Sequence, residues 1–202
     1  GGERPVEQPA EELEASGKYV IPGLWDLHVH VFTSPNEVDF ALPAYVVNGV
    51  TGIRDVGGFQ PTEVIRQVAA DVKHGKRIGP RIVLAGAVID GPPGAWPGIK
   101  VAATPEEGRS LVRAFKAEGW SFIKTYSLLR PDVYDAIADE AQMLKLKLFG
   151  HVPEAITLEH AVSKGHGIVE HFGRLTMACS KNEPTIVARR LSGMAGAKTL
   201  AD

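Results

Sequence analysis

The sequence predicts an α/β protein on a parallel sheet: a TIM-type (β/α)8 barrel of which about six of the eight βα units are legible. Short apolar runs alternate with amphipathic helical stretches along the chain. Several runs are apolar on both faces, as parallel strands covered on both sides must be. Histidines and a lysine recur at the ends of these runs, where a parallel barrel gathers its chemistry. A doubly wound open sheet is the competing architecture. It requires a glycine-rich loop after the first strand, and His28-Val29-His30 stands there instead.

The elements follow in order. Residues 1–16, rich in Pro and Glu, read as a loosely held lead-in, and residues 17–202 as the partial barrel. The predicted strands are Gly23–Val31, Val50–Val56, Arg81–Ile89, Ser121–Tyr126, Leu146–Val152 and Gly167–Phe172. Between them, Val64, Val68 and Val72 form a helical stripe ending before Gly75. Thr104-Pro105-Glu106-Glu107 is a capping box with proline at the first helical position, and Gly119 supplies the stop. Val133, Ile137, Ala141 and Leu144 make a stripe after Pro131, and Leu158, Ala161 and Val162 make another before Gly165. After Phe172 the pattern is irregular, with helical pieces around Ile186–Met194 and no seventh or eighth strand.

Composition narrows the function classes. The chain of 202 residues is 44 % hydrophobic and 23 % charged, ordinary for one globular domain with a sizeable core. Its net charge of −2 is dispersed, so no nucleic-acid partner is expected. One cysteine, Cys179, excludes a disulfide framework within the chain and a cysteine-rich zinc site. No apolar run is long enough to span a membrane, and no signal-peptide pattern stands at the N-terminus, so a soluble chain without a membrane partner is expected. The compartment is not fixed by the sequence.

His28 and His30 lie two apart on a strand and therefore project to the same side. Burying two ring nitrogens without partners is costly, and a metal ion removes that cost. The alternative is two half-exposed histidines at a strand end. Lys124 sits inside the apolar fourth predicted strand, where lysine is rare unless paired; its alternative is a snorkelling side chain that reaches solvent. His151 closes the fifth predicted strand and His171 the sixth. Tyr126 shares the face of Lys124 and is either a substrate contact or a packed strand tyrosine. The Gly91–Gly98 stretch, with Trp96 between prolines, is a lid over the barrel mouth or a long connector. His160 and His166 read as surface residues, His74 as a partner of a helix dipole, and Cys179 as a loop thiol.

This set and order resembles the amidohydrolase superfamily of metal-dependent hydrolases, nearest to its imidazolonepropionase- and prolidase-like branch. The likeness rests on Pro22-Gly23-Leu24-Trp25-Asp26-Leu27-His28-Val29-His30, on Gly49-Val50-Thr51-Gly52-Ile53-Arg54-Asp55-Val56-Gly57-Gly58, on Asp90-Gly91-Pro92-Pro93, and on the Gly150-His151-Val152 and Glu170-His171 turns. It runs from about residue 17 to about residue 175. It implies a binuclear centre of two divalent ions, most commonly Zn2+. His28 and His30 would hold one ion and His151 and His171 the other, with carboxylated Lys124 bridging them. A metal-bridging hydroxide would cleave a C–N amide bond of a dipeptide or cyclic amide, making the chain a peptidase-like hydrolase. The family's strand-eight aspartate has no counterpart here, since Asp55 and Asp90 belong to earlier strands, so the catalytic acid–base residue is unassigned. Gln8–Gly17 would be the remnant of the flanking β-sandwich subdomain. The implied chain is C-terminally truncated. The alternative function is accordingly an incomplete barrel that binds metal or a completing chain, including its own copy, without turnover.

Overall fold

The computed structural model describes residues 13–96 and 98–194. The lead-in expected over 1–16 falls largely outside them. Strands β1 (Leu24–Val29), β2 (Val50–Asp55), β3 (Arg81–Leu84), β4 (Ile89–Asp90), β5 (Lys100–Val101), β6 (Phe122–Thr125), β7 (Lys147–Gly150) and β8 (His166–Val169) alternate with helices. These are α1 (Pro35–Val47), α2 (Thr62–Lys73), α3 (Pro105–Ala117), α4 (Pro131–Met143), α5 (Leu158–Ser163), α6 (Gly173–Ala178) and α7 (Glu183–Met194). Every strand pairing is parallel, in sheets ordered β1-β2-β3 and β5-β4-β6-β7-β8. Ala85, just past β3, bridges Phe122 at the start of β6 and carries one sheet into the other.

The α/β alternation is thus as the periodicity predicts in outline, with departures: β5 lies on no predicted strand and α1 on no predicted helical stripe. The single strand expected over Arg81–Ile89 is broken into β3 and β4. Between them, Gly86 sits where Phe115 and Trp120 lie 2.9 and 3.0 Å from the place its Cβ would take, leaving little room for a side chain. The first strand, expected to be buried, is exposed along most of its length, with Leu24 and Leu27 each 54 % accessible. Among the described residues β1 pairs only with β2.

Two apolar clusters bind helices to the outside of the sheets. Val38 and Leu42 of α1 and Val68 of α2 pack on Val29 and Ile53. Val112 and Phe115 of α3 and Val133, Ile137 and Ala141 of α4 pack on Ile123 and Leu148. The capping box at Thr104 and Glu107 forms as expected and starts α3. A third cluster, Val56, Ala85 and Phe122 with Val83 and Phe149, lies on the other face of the sheet, beneath the strand ends. No helix among the described residues is long and apolar enough to cross a membrane.

Candidate functional site

All five predicted ligand positions meet at the C-terminal ends of the strands. The His28 ring lies 5.2 Å from that of His30 and 4.4 Å from that of His171, and His171 lies 4.9 Å from His151. His30, Lys124, His151 and His171 line one cavity of about 310 Å³. Among the described residues, no three His, Cys, Asp or Glu side chains form a ready cation cage.

Three of the rings are aimed by specific partners. His28 Nδ1 donates to Glu170 Oε2 at 2.7 Å. His30 Nδ1 donates to the Gly57 carbonyl at 2.6 Å. A carboxylate and a carbonyl can only accept, so in its neutral form each ring carries its proton on Nδ1 and presents a bare Nε2 lone pair. His151 Nδ1 meets the Ser127 hydroxyl at 3.2 Å. Its Nε2 is buried and without a hydrogen-bond partner, an uncompensated acceptor or donor. Burial, reinforced by Lys124 and the neighbouring histidines, pushes the His151 pKa down to about 3, so this imidazole is neutral at ordinary pH. His28 is also lowered, by burial first, against the opposing bond from Glu170.

Local backbone accounts for the placement. His151 follows Gly150, whose φ of +123° and whose Cβ position, 2.4 Å from the Thr125 carbonyl, admit only glycine. His171 and Phe172 both adopt left-handed backbone, with φ of 61° and 55°. Each costs about 1–2 kcal/mol, a strain tolerated where it turns the His171 ring into the cluster.

Lys124 is 1 % accessible, so its ammonium does not snorkel to solvent. Burial lowers its pKa to about 8, with Glu170 opposing and Arg54 assisting the shift. Tyr126 lies on the same face, stacked on His151 with ring centroids 4.1 Å apart and planes at 27°. Trp96 abuts Tyr126 edge-on at 4.6 Å, and Phe59 abuts Trp96 at 6.3 Å. The Gly91–Gly98 loop therefore walls the cavity.

Sequence reasoning missed the residues behind the ligands. Arg54 is 5 % accessible. Its Nη2 donates to Glu170 Oε1 at 2.7 Å and its Nε to the Leu27 carbonyl at 2.6 Å. Asp55 is buried and accepts from the Val31 and Gly57 amides at 2.9 and 3.0 Å. Burial raises its pKa to about 6, against these two amides, His30 and Lys124. Arginine in an apolar strand is the same signal that singled out Lys124, and it went unread. His166 corrects an expectation: it is 6 % accessible and not on the surface. Its Nε2 donates to the Gly150 carbonyl at 3.1 Å, and the Tyr134 hydroxyl donates to its Nδ1 at 3.0 Å. His160 is half-exposed and paired with Asp135 at 2.6 Å. His74 closes on the Ala70 carbonyl at 2.8 Å, as a helix-end residue should. Cys179 is exposed at the end of α6.

A second cavity shares His151 and His171 and is lined by Ser127, Glu154, Glu170, Arg174 and Arg190. Arg174 and Arg190 both pair with Glu154.

Solved structures share this fold. An uncharacterized protein is 24 % identical over 91 % of this chain and 56 % of its own, with a TM-score of 0.69. A protein assigned as a prolidase from Bifidobacterium longum is 28 % identical over 78 % of this chain and 41 % of its own, with a TM-score of 0.59. The bottromycin amidohydrolase AH is 24 % identical over 85 % of this chain and 38 % of its own, with a TM-score of 0.64. The chain thus spans between about two fifths and somewhat over half of the length of the structures it matches. No family model matches the sequence, and no curated protein matches it.

Proposed function

We propose that this chain carries a metal-dependent amidohydrolase site that cleaves a C–N amide bond in a dipeptide or cyclic amide. The observation that supports it is the convergence of four histidine rings with one buried lysine at the strand ends. The fold likeness to a prolidase-assigned protein and to an amidohydrolase agrees with it.

The donor chemistry fits a divalent metal pair. His28 and His30 offer bare Nε2 atoms, and the buried His151 Nε2 lacks a partner. In this reading His28 and His30 would hold one ion and His151 and His171 the other, with Lys124, once carboxylated, as their shared ligand. The unprotonated Lys124 amine adds to carbon dioxide: an N–C bond forms, one C=O π bond opens, and the amine proton leaves to solvent. The product is an anionic carbamate with two oxygens, which an ammonium cannot offer. When bound, two divalent ions, zinc the first expectation, supply an acidified water and polarise the scissile carbonyl. Glu170, Gly57 and Ser127 fix the ring orientations, which partners behind metal ligands commonly do. Tyr126 and Trp96 keep bulk water from one side of the amide and contact the substrate.

A second reading, metal or partner-chain binding without turnover, is favoured by the apolar surface on β1, where Leu24 and Leu27 are each 54 % accessible. Native mass spectrometry after preparation with zinc and bicarbonate, followed by an amide-hydrolysis screen, separates the two. Two zinc ions, a carbon dioxide adduct and hydrolysis, all lost in Lys124→Ala, are expected. Metal loading without turnover of any amide would favour the second reading. Hydrolysis retained in Lys124→Ala would refute the bridging role.

A further inference from the structure

We infer that the cavity beside the histidines is a subsite for a neutral aryl group flanking the scissile amide; this rests on the amidohydrolase reading above. Its wall is built from Phe59, Val88, Trp96, Ile99 and Tyr126, and its volume of about 310 Å³ suits one ring with its attached amide. The three aromatic rings are arranged edge to face, with Trp96 and Tyr126 at 81° and Phe59 and Trp96 at 77°. A flat group has both an edge and a face to meet in such a wall. Tyr126 stacks directly on His151, so a ring held against this wall is joined to the chemistry through one contact.

Charge selects against other occupants. Among the described lining residues there is no carboxylate and no guanidinium; the titratable groups are Lys124, the Tyr126 hydroxyl and the histidines of the cluster. Aromatic walls also receive cations, but those sites gain from a carboxylate in the wall, and none is among the described residues that line this cavity. The neighbouring cavity carries Glu154, Glu170, Arg174 and Arg190, so charged parts of a substrate have a separate place. The aromatic wall is also held in advance. Within the loop that carries Trp96 the Gly94 amide donates to the Gly91 carbonyl at 2.8 Å, and Asp90 at its base accepts from the Leu128 amide at 2.6 Å. A wall fixed before binding loses little ordering entropy on binding.

The test is a set of dipeptides with Phe, Ala, Lys or Glu at each position in turn, assayed on the zinc-loaded full chain. Phe is expected to exceed Ala by roughly 10–100-fold in kcat/KM at one position, with Lys and Glu no better than Ala. Trp96→Ala is expected to collapse the Phe-to-Ala ratio. Binding of N-acetylphenylalaninamide, followed by titration calorimetry against N-acetylalaninamide, reads the subsite without turnover. Hydrolysis with no aryl preference overturns the subsite and leaves the hydrolase standing. Aryl binding lost in Trp96→Ala, with no peptide cleaved, overturns the hydrolase and supports the subsite. A preference for Lys, or neither binding nor preference, overturns the inference.

Discussion

Replacing Arg54 with methionine would expose what holds the site from beneath. Methionine keeps a similar stem against Phe122 and Phe149, whose ring centroids lie 5.5 and 5.3 Å from the guanidinium carbon. It loses both hydrogen bonds, to Glu170 and to the Leu27 carbonyl. The Glu170 side chain is only 5 % accessible, so it becomes a buried carboxylate with His28 as its remaining partner. Breaking a buried pair from one side costs about 3–5 kcal/mol. The unbonded Leu27 carbonyl and the lost cation–π contacts each add about 1 kcal/mol. Against this, Arg54 Nη1 is itself buried without a partner, and its removal returns about 1–2 kcal/mol. The net is a loss of roughly 3–6 kcal/mol, which for a domain of this size lowers Tm by about 6–24 °C.

Urea unfolding and calorimetry would check the magnitude, and pH would check the cause. In the native protein burial raises the Glu170 pKa, but the His28 bond and the Lys124 and Arg54 charges outweigh it and hold the carboxyl below its usual range. Its contribution is therefore present above the unfolded carboxylate pKa and lost as pH falls through the lower folded value. Without Arg54 the carboxyl rises and takes up a proton sooner, so the gap between variant and native protein should narrow from pH 7 to pH 5. Arg54→Met with Glu170→Gln should cost about 2 kcal/mol less than the sum of the single changes, because no buried charge is left alone. A single variant within about 1 kcal/mol of the native protein, or an additive pair, would refute the reasoning.

Two further outcomes follow from buried polar groups. Burial pushes the Asp90 pKa from 3.8 to about 6, so the folded state binds its proton more tightly and stability falls as pH rises from about 4 through 6. Asp55 is shifted to about 6 in the same way. Asp90→Asn should therefore remove roughly half of that slope, about 2–3 kcal/mol between pH 4 and pH 7.5 in urea unfolding, and an unchanged slope would show the charge is not paid for in burial. Tyr134→Phe leaves His166 Nδ1, buried between α4 and β8, without its donor. A loss of about 1–3 kcal/mol is expected in thermal or urea unfolding, and none would mean the ring turns to another partner.

Much of the fold was legible because its signals are local. The Thr104 capping box and the stripes along α2, α3 and α4 are read from neighbours within one or two turns. By contrast, α1 is apolar on several sides, with Phe40 and Val47 exposed and Pro43 inside it, and presents no stripe to read. The close packing over Gly86, between β3 and β4, comes from Phe115 and Trp120, far away in sequence. The ligand positions stood out as polar residues ending apolar runs. Their partners did not: Glu170 lies 142 residues from His28 and 116 from Arg54, and no local pattern announces such pairings.

Arg54 and Lys124 make the distinction between scaffold and site concrete. Both are long cations inside apolar strands, and in the sequence they look alike. Arg54 is bonded to a carboxylate and a carbonyl, so its charge is spent on the fold. Lys124 faces a cavity among histidines with its charge destabilised by burial, so its amine remains chemically available. The two meet through Glu170, which ties β2 to the turn after β8 through Arg54 and to the end of β1 through His28. No ladder joins β1 to β8 among the described residues. Through these side-chain bonds Glu170 links the end of β1, β2 and the turn after β8, and the orientation of the first histidine depends on it.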